Sequence, residues 1–354
     1  MPRSLRYDLR RWIKSSGVFV PPTADATPAP QQPLPRLTIL LPVFNDWTVA
    51  DMLVSKIDAV LAEQGVSGEI LFVNDASTDS VPAHFPSHPP RHLEKVQILN
   101  LKRNLGHQRA LATGLVHLQR GALEGDVVVM DADGEDDPSD IPILLKEFVL
   151  QGARKIVFAE RKRRKEGPLF TLFYQLYRAT HRLLVGSDIR VGNFSVLPAA
   201  ALEPLVVSSD LWNHYAAAVV KMKLPSASVP VNRAKRLAGQ SKMGFTGLVI
   251  HGLSAISVFG DTVGVRLLTA SGTLALLTVL LMVVAVVVKF ATHLAIPGWA
   301  TNVVGLLLLM LCQAITMALI LTFVVLYNRG QSSFVPLRDC PVYEGTVTTV
   351  FAKT

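Results

Sequence analysis

The feature that most constrains this chain is a pair of long apolar runs near its C-terminus. Residues 267–288 and 303–326 contain no charged side chain. At about 1.5 Å per residue, even the shorter run forms a helix of about 33 Å, which exceeds the roughly 30 Å of a bilayer's hydrocarbon core. We therefore expect two transmembrane helices, which form a hairpin over residues 266–328.

The charges around these runs predict the orientation of the hairpin. The loop 290–302 contains no Lys or Arg, whereas Arg266 precedes the first run and Arg329 and Arg338 follow the second. Positive residues are enriched on the cytoplasmic side of membrane proteins. We expect a multi-pass protein of the inner (plasma) membrane, with the bulk of the chain and its tail (329–354) in the cytoplasm.

Composition narrows the class of partner. The chain has 354 residues, a formal net charge of +8 and a pI near 9.6. This balance favours an anionic partner: nucleic acid, a membrane surface or a phosphate-bearing substrate. Because the sequence contains no nucleic-acid-binding module and the basic excess lies near the apolar runs, we expect a lipid bilayer and no nucleic acid.

A basic, proline-rich linker (1–36) precedes a region in which strand-like and helix-like patterns alternate. This alternation is typical of a mostly parallel, Rossmann-like α/β sheet with helices on both faces. We assign residues 37–242 to this domain. The predicted strands lie at 37–43, 69–75, 95–101, 126–133 and 155–160.

Polar residues follow four of these strands. In a parallel sheet, ligands bind beyond the carboxyl ends of the strands. No GxGxxG segment follows a strand and no GxxxxGK[ST] segment occurs, which disfavours dinucleotide and P-loop sites. The candidate site residues at this edge are Asp46, Asp75, Asn104, Asp131 and Asp133.

Asp131 and Asp133 are the pair most suited to chemistry. On a strand, residues i and i+2 face the same side, so two carboxylates at a strand end can hold one divalent ion together with diphosphate oxygens. Glu135 is a possible third ligand. The alternative is a pair of solvated turn acids, since the segment DGEDDP (133–138) is also a turn sequence.

Five segments together resemble glycosyltransferase family 2, the inverting transferases with the GT-A fold. More narrowly, they are similar to dolichol-phosphate mannose synthase and its bacterial polyprenyl-phosphate relatives, which carry a two-helix membrane hairpin. The segments are LPVFND (41–46), VNDASTD (73–79), RNLGHQRAL (103–111), DADGEDDP (131–138) and RLAGQSK (236–242).

The resemblance implies roles for individual residues. Pro42, Asp46, Asp75 and Asn104 would bind the nucleotide sugar, with Asp75 bonded to the base. Asp131 and Asp133 would hold Mg²⁺ or Mn²⁺ on the diphosphate. The phosphate-binding residues implied by RLAGQSK are Arg236, Ser241 and Lys242.

The chain departs from the family pattern at four places. Asp46 replaces the usual Glu, Asn74 replaces the first Asp of its turn, and Ala76 replaces a Gly. The segment GNFS (192–195) stands where relatives often have Gly-Asp-Phe-Arg. These departures bear on the base and the sugar more than on the reaction.

Basic and amphipathic segments predict how a lipid acceptor is held. Arg161, at the start of the run RKRRK (161–165), is assigned to the acceptor phosphate, and the rest of that run to anionic headgroups. Residues 243–265 have apolar residues at helical spacing, which fits an interfacial helix along the bilayer, with a core helix as the alternative.

The expected function is transfer of a hexose-type sugar from a nucleotide diphosphate sugar, of the UDP-glucose or GDP-mannose type, to a polyprenyl phosphate. Two alternatives remain open. One is a family 2 transferase that acts on a saccharide or glycolipid hydroxyl, and the other is a non-catalytic, membrane-anchored nucleotide-sugar binding protein. A homo-oligomer is possible.

Overall fold

The computed structural model describes residues 36–121, 123, 125–161, 175, 179, 182–186, 191–232, 237, 252–291, 298–330 and 333–353. The predicted linker lies outside this range except for Arg36. The chain divides into two compact units. One comprises Met1–Lys165, Ile189–His251 and Phe334–Thr354, and the other Glu166–Asp188 and Gly252–Ser333.

The first unit contains an eight-stranded sheet with the order β7-β5-β6-β4-β1-β2-β3-β8. Among these described strands, the β1–β2, β1–β4, β2–β3 and β5–β7 ladders are parallel, and the other three are antiparallel. The strands are β1 Leu37–Val43, β2 Gly68–Asn74, β3 Leu93–Leu101, β4 Asp126–Val129, β5 Ile156–Arg161, β6 Ser195–Leu197, β7 Ser226–Val231 and β8 Glu344–Ala352.

Helices connect these strands and cover both faces of the sheet, as the alternating pattern predicts. They are α1 Trp47–Gln64, α2 His107–Arg120, α3 Ile141–Leu150, α4 Ala199–Val206 and α5 Tyr215–Lys221 before the apolar runs, and α8 Pro336–Asp339 after them. Short 3₁₀ turns lie at Pro138–Asp140, Ser209–Trp212 and Cys340–Tyr343.

Strand β1 lies at the centre of the core, and all seven of its residues are buried. Its side chains alternate between the two faces: Ile39 and Leu41 pack in the cluster that contains α1 and α3, whereas Leu40 packs with α2, α4 and α5. A strand covered on both faces reads as a continuous apolar run, which is why LTILLPV lacks polar alternation.

The fourth strand is shorter than the sequence predicts. It ends at Val129, and Asp131 and Asp133 lie in the turn that follows. The expectation that these acids share one side of a strand is therefore wrong. The strand ends early because the Asp131 N–H bonds the Asp136 carboxylate within the turn and not a neighbouring strand.

The C-terminal strand β8 is a feature that the sequence analysis did not predict. It pairs antiparallel with β3 at the edge of the sheet, with Lys95 opposite Ala352 and Leu101 opposite Glu344. Residues of the predicted tail thus complete the sheet that the first half of the chain builds.

The second unit contains two long helices, α6 Gly260–Ala291 and α7 Trp299–Gly330, which include both predicted apolar runs. By length and composition each is able to cross a membrane, and only 11% and 6% of their most apolar windows are buried. A Cβ on Gly264 would lie 2.8 Å from Val325, so the start of α6 lies against the end of α7 and the pair is antiparallel.

The predicted interfacial helix is described only in part. Residues 252–257 are helical, and Leu253 among them is 57% exposed. Residues 241–251 lie outside the described range, so the interfacial assignment remains a prediction.

Ala76 offers a test of the backbone after β2, because its φ is +53°. A left-handed backbone costs alanine about 1–2 kcal/mol, and glycine does not bear this cost. Glycine gives up about 0.4–1 kcal/mol of the advantage, because it raises the conformational entropy of the unfolded chain. We expect Ala76→Gly to stabilise the protein by about 0.5–1 kcal/mol and raise Tm by about 2 °C.

The control is Ala59→Gly in α1, where the exposed alanine is helical and the same change should cost about 1 kcal/mol. Thermal unfolding of the intact protein in detergent measures both variants. An Ala76→Gly protein that melts at or below the wild-type temperature would contradict the backbone assignment.

Candidate functional site

The carboxyl ends of β4, β1, β2 and β3 meet at one edge of the sheet, because these strands are neighbours and parallel. The predicted clustering of their polar residues is therefore confirmed. Asn45 joins the loops after β1 and β2: its Nδ2 donates to Thr78 Oγ1 (2.8 Å), and its Oδ1 accepts from the Asp79 N–H (3.1 Å). These bonds fix the two loops relative to one another.

Asp75 connects the loop after β2 to the start of α2. Its carboxylate is 3% exposed and accepts the N–H groups of Leu105 (2.7 Å) and Gly106 (2.9 Å). Burial raises the pKa of Asp75 above its usual value, although both backbone bonds and His107 oppose that shift. Gly106 has φ +87°, a conformation in which glycine carries no steric cost.

The turn after β4 is built by its own acids. Asp136, which is 2% exposed, accepts the Asp131 N–H (2.9 Å), and Asp133 Oδ1 accepts the Glu135 N–H (2.9 Å). Sequence reasoning gave Asp136 no role. In the structure Asp136 is buried, and its hydrogen bond to the Asp131 N–H joins the two ends of the segment that carries both candidate metal ligands.

His107, the first residue of α2, lies against this turn. Its Nε2 is 3.0 Å from Asp131 Oδ1. Burial lowers the pKa of His107, but the nearby charge and hydrogen bond of Asp131, together with the charges of Asp133 and Asp136, raise it above its ordinary value overall. The site thus brings one imidazole into the field of three carboxylates, an arrangement that sequence reasoning missed.

A polar network extends from Asp131 into the core. Asn193 Nδ2 donates to Asp131 Oδ1 (3.2 Å), and Asn193 Oδ1 accepts from Gln108 Nε2 (3.0 Å). Gln108 Oε1 in turn accepts the Tyr215 N–H (2.8 Å), and Ser195 Oγ bonds both Asn193 O and the Tyr215 hydroxyl. The departures at 193 and 195 therefore form one hydrogen-bonded set that orients Asp131.

Leu237, the one residue of the segment RLAGQSK that the structure describes, lies against the turn after β4. A Cβ on Gly134 would lie 2.6 Å from Leu237 Cγ, which is closer than real Cβ contacts. The glycine is thus required both for its positive φ and for the approach of Leu237. The neighbours Arg236, Ser241 and Lys242 lie outside the described residues, and their phosphate-binding role remains a prediction.

The other predicted residues occupy varied positions. Pro42 is buried in β1 opposite Val73, Asp46 is half-buried at the start of α1, and Asn104 is exposed in the loop before α2. Arg161 is the last residue of β5. Their contacts with substrate stay predictions.

The donor set suits a hard divalent ion that also binds substrate. Among the described residues, no group of three or more His, Cys, Asp or Glu side chains is placed to hold a metal by itself. Mg²⁺ in nucleotide sites is commonly held by one or two carboxylates plus substrate phosphates. Asp131 and Asp133 on one turn fit that kind of site.

Comparison with known proteins identifies the domain built around this edge. Residues 38–196 match the family model described as Glycosyl transferase family 2. The domain is therefore similar to family 2 glycosyltransferases. Its mixed α/β sheet is accordingly GT-A-like, and the predicted fold class is confirmed.

Similar proteins include transferases named for polyprenyl phosphates. The undecaprenyl-phosphate 4-deoxy-4-formamido-L-arabinose transferase of Salmonella gallinarum is 23% identical over 284 residues, 78% of this chain and 82% of that one. Dodecaprenyl-phosphate galacturonate synthase of Rhizobium johnstonii is 30% identical over 132 residues, 37% of this chain and 38% of that one.

One solved structure that matches part of this chain is glucosyl-3-phosphoglycerate synthase from Mycobacterium tuberculosis, in complex with Mn²⁺, UDP-glucose and phosphoglyceric acid. It is 14% identical with a TM-score of 0.46, and the match covers 65% of this chain and 80% of that one.

Gly134→Ala tests the contact with Leu237. Gly152 is the matched control, because it also has positive φ (+69°) but would place its Cβ in open space. We expect Gly152→Ala to cost about 1 kcal/mol, and Gly134→Ala a further 1–3 kcal/mol or so from overpacking.

A double-mutant cycle with Leu237→Ala separates the two effects. In that background, Gly134→Ala should cost no more than Gly152→Ala does. Equal costs for the two glycine variants in the wild-type background would show that Leu237 does not lie on the turn.

A second prediction concerns the pKa of His107 and tests its contact with Asp131. In metal-free protein, Asp131→Asn should lower this pKa, since the carboxylate supplies the charge that raises it. A raised folded pKa stabilises the fold below the usual value near 6.5, and that contribution is lost as pH rises through the folded pKa. This pH dependence should weaken in the variant.

NMR titration of the histidine side chains, assigned with His107→Gln, measures the shift. Glu135→Gln is the control, because Glu135 lies in the same turn but is not among the groups that shift the pKa of His107. An unchanged pKa in Asp131→Asn is the contrary result.

Proposed function

We propose that this protein transfers a hexose-type sugar, with inversion, from a nucleotide diphosphate sugar of the UDP-glucose or GDP-mannose type to the phosphate of a polyprenyl phosphate. The reaction would serve cell-envelope glycan or glycoconjugate synthesis at the cytoplasmic face of the membrane. The observation that carries the proposal is the Asp131–Asp133 turn at the sheet edge of a family 2 domain, in a chain that continues into two long apolar helices.

In this proposal Asp131 and Asp133 hold Mg²⁺ or Mn²⁺ against the donor diphosphate, with Glu135 as a possible further ligand. The metal, when bound, neutralises the charge that develops on the departing nucleotide. Asp131 is kept in place for that task by Asn193 and by His107. Pro42, Asp46, Asp75 and Asn104 are the proposed contacts of the nucleotide sugar.

The acceptor requires cations rather than a general base. A phosphate monoester has a second pKa near 6 and is mostly a dianion at pH 7, so it is already nucleophilic. The site must instead overcome repulsion between two anionic substrates. We assign this to Arg161, Arg236, Ser241 and Lys242. Within the segment 236–242, the described residue Leu237 contacts Gly134 in the turn that carries Asp131 and Asp133.

The pairing of β8 with β3 supports the proposed topology. The residues of β8 follow α7 in the chain, and those of β3 precede α6. Two segments of one ladder lie on the same side of any membrane, so the chain between them must cross an even number of times. The charge pattern around the helices favours the cytoplasm for that side.

A hydroxyl acceptor is the main alternative, and it would need a carboxylate base beyond β5. Asp210 forms an ion pair with Lys221 (2.9 Å), and Glu203 is exposed on α4. Neither position favours this alternative. A non-catalytic binding protein is the other alternative, and the departures Asn74 and Ser195 are its best support.

The test uses purified full-length protein, undecaprenyl phosphate and either UDP-glucose or GDP-mannose. We expect a lipid-linked sugar whose formation needs divalent metal. Asp131→Asn and Asp133→Asn should each reduce the rate by about 100-fold or more, because the leaving group loses its charge stabilisation. Glu203→Gln is the control and should keep wild-type activity.

A thermal-shift screen of donors with Mn²⁺ identifies the donor, since ligand binding raises the melting temperature.

Three outcomes would contradict the proposal. Full activity in EDTA or in both aspartate variants removes the metal role. Transfer to a sugar hydroxyl without polyprenyl phosphate favours the main alternative, as would loss of activity in Glu203→Gln. Donor binding with no turnover in any lipid extract favours the binding protein.

A further inference from the structure

The loop 102–106 is the part of the donor edge that depends most on distant residues. It joins β3 to α2 and carries the exposed Asn104, a proposed donor contact. On its inner side, the N–H groups of Leu105 and Gly106 are bound by Asp75. Its start at Lys102 and Arg103 is not reached by Asp75 and requires support from elsewhere.

That support comes from the C-terminal segment. The Lys102 N–H donates to the carbonyl of Tyr343 (2.9 Å), and Lys102 Nζ donates to the carbonyl of Val342 (2.9 Å). The guanidinium of Arg103 lies 5.3 Å from the centre of the Tyr343 ring, a favourable cation–π distance. Two consecutive loop residues, Lys102 and Arg103, thus contact the short segment 342–343 through a backbone N–H, an ammonium group and a guanidinium group.

Tyr343 is itself held firmly. Its ring stacks on Trp212 with centroids 5.6 Å apart, and Trp212 stacks on Phe334 at 4.1 Å. The next residue, Glu344, accepts a hydrogen bond from His117 (3.1 Å) and lies 3.7 Å from Arg120. Because both partners are on α2, the segment joins the loop to the helix whose first residue is His107.

A second set of contacts reaches the neighbouring loop. Asn100 Nδ2 donates to the backbone and hydroxyl oxygens of Thr346 (both 3.2 Å), and Asn100 Oδ1 accepts from Asn74 (2.9 Å). Asn74 Oδ1 accepts the Ser77 N–H (3.0 Å) in the loop after β2. The C-terminal segment 342–346 therefore supports the donor edge at two points, although none of its residues belongs to the predicted motifs.

We propose that Tyr343 is a positioning residue of the donor site: its ring and carbonyl fix the loop 102–106 in the conformation that presents Asn104 to the nucleotide sugar. This assignment rests on the proposed function. An ordered loop binds more tightly than one that must be ordered by the ligand. Loss of the ring should therefore weaken donor binding while the reacting groups remain in place.

The first measurement does not depend on catalysis. Amide hydrogen exchange in the full-length protein follows a peptide over 102–107, with one over 37–43 in the core as reference. We expect Tyr343→Ala to speed exchange over 102–107 by about tenfold and leave the reference unchanged, since local opening costs less than global unfolding. Tyr343→Phe should match wild type, because it keeps the ring and the carbonyl. Val347→Ala, at an exposed position of β8, is the matched control.

The second measurement uses whichever donor supports turnover. Tyr343→Ala should raise the donor KM by about tenfold and change kcat by less than about twofold, a split that general instability would not produce. Should wild type form no lipid-linked sugar, the proposed function fails, and the exchange experiment still decides whether Tyr343 fixes the loop.

The proposal is overturned if exchange over 102–107 is the same in Tyr343→Ala as in wild type, or if Tyr343→Phe is as defective as the alanine variant. If Tyr343→Ala does not fold, Arg103→Ala carries the test, because it removes the cation–π contact and leaves the aromatic stack intact. Faster exchange over 102–107 in that variant supports the proposal, and wild-type exchange refutes it.

Discussion

The candidate site depends on one buried carboxylate. Asp75 accepts the backbone N–H groups of Leu105 and Gly106, which directly precede α2, and so fixes the start of that helix relative to the end of β2. With α2 in place, His107 lies at hydrogen-bond distance from Asp131, and Gln108 reaches Asn193. The turn after β4 is thereby joined to the neighbouring loops. Removing a buried acceptor with two donors would leave those donors unsatisfied, which costs more than the hydrogen bonds themselves contribute.

The same geometry explains how several acids can share a short turn. Asp131, Asp133 and Asp136 lie within six residues, and their mutual repulsion opposes folding. Backbone N–H groups offset part of it, since Asp136 and Asp133 each accept one from the turn itself. Asp131 raises the pKa of His107, and a protonated His107 offsets a further part of the repulsion. In the proposed reaction a divalent ion supplies further positive charge, so the acids that cost stability in the free protein become the groups that recruit the metal.

Much of the architecture could be predicted because local sequence patterns determine the positions of its central strands. The buried strands β1, β2 and β3 were found within about two residues, since continuous apolar runs are local signals. The end of β4 was misplaced because apolar periodicity does not reveal that the Asp131 N–H bonds the Asp136 side chain and no longer a neighbouring strand. Strand β8 was missed because its partner β3 lies some 250 residues earlier (Gln97 pairs with Thr349) and its own residues are mostly exposed. The role of Asn193 depends on its hydrogen bonds with Gln108 in α2 and with Asp131 in the turn after β4. Residue spacing in the sequence does not predict these contacts.

The order of elements along the chain links the sheet to the apolar helices. Strands β1 to β7 precede α6, whereas the residues that pair with β3 and support the loop 102–106 follow α7. Until those last residues are made, β3 is an edge strand with unpaired backbone groups, which is a site for unwanted pairing. The Tyr343 carbonyl and the Glu344 side chain then supply contacts that no earlier segment provides. A chain that stopped after α7 would contain every family motif and still lack the strand that closes this edge and the residue that fixes its donor loop. The sheet edge is therefore complete only in a protein whose two apolar helices have already been made.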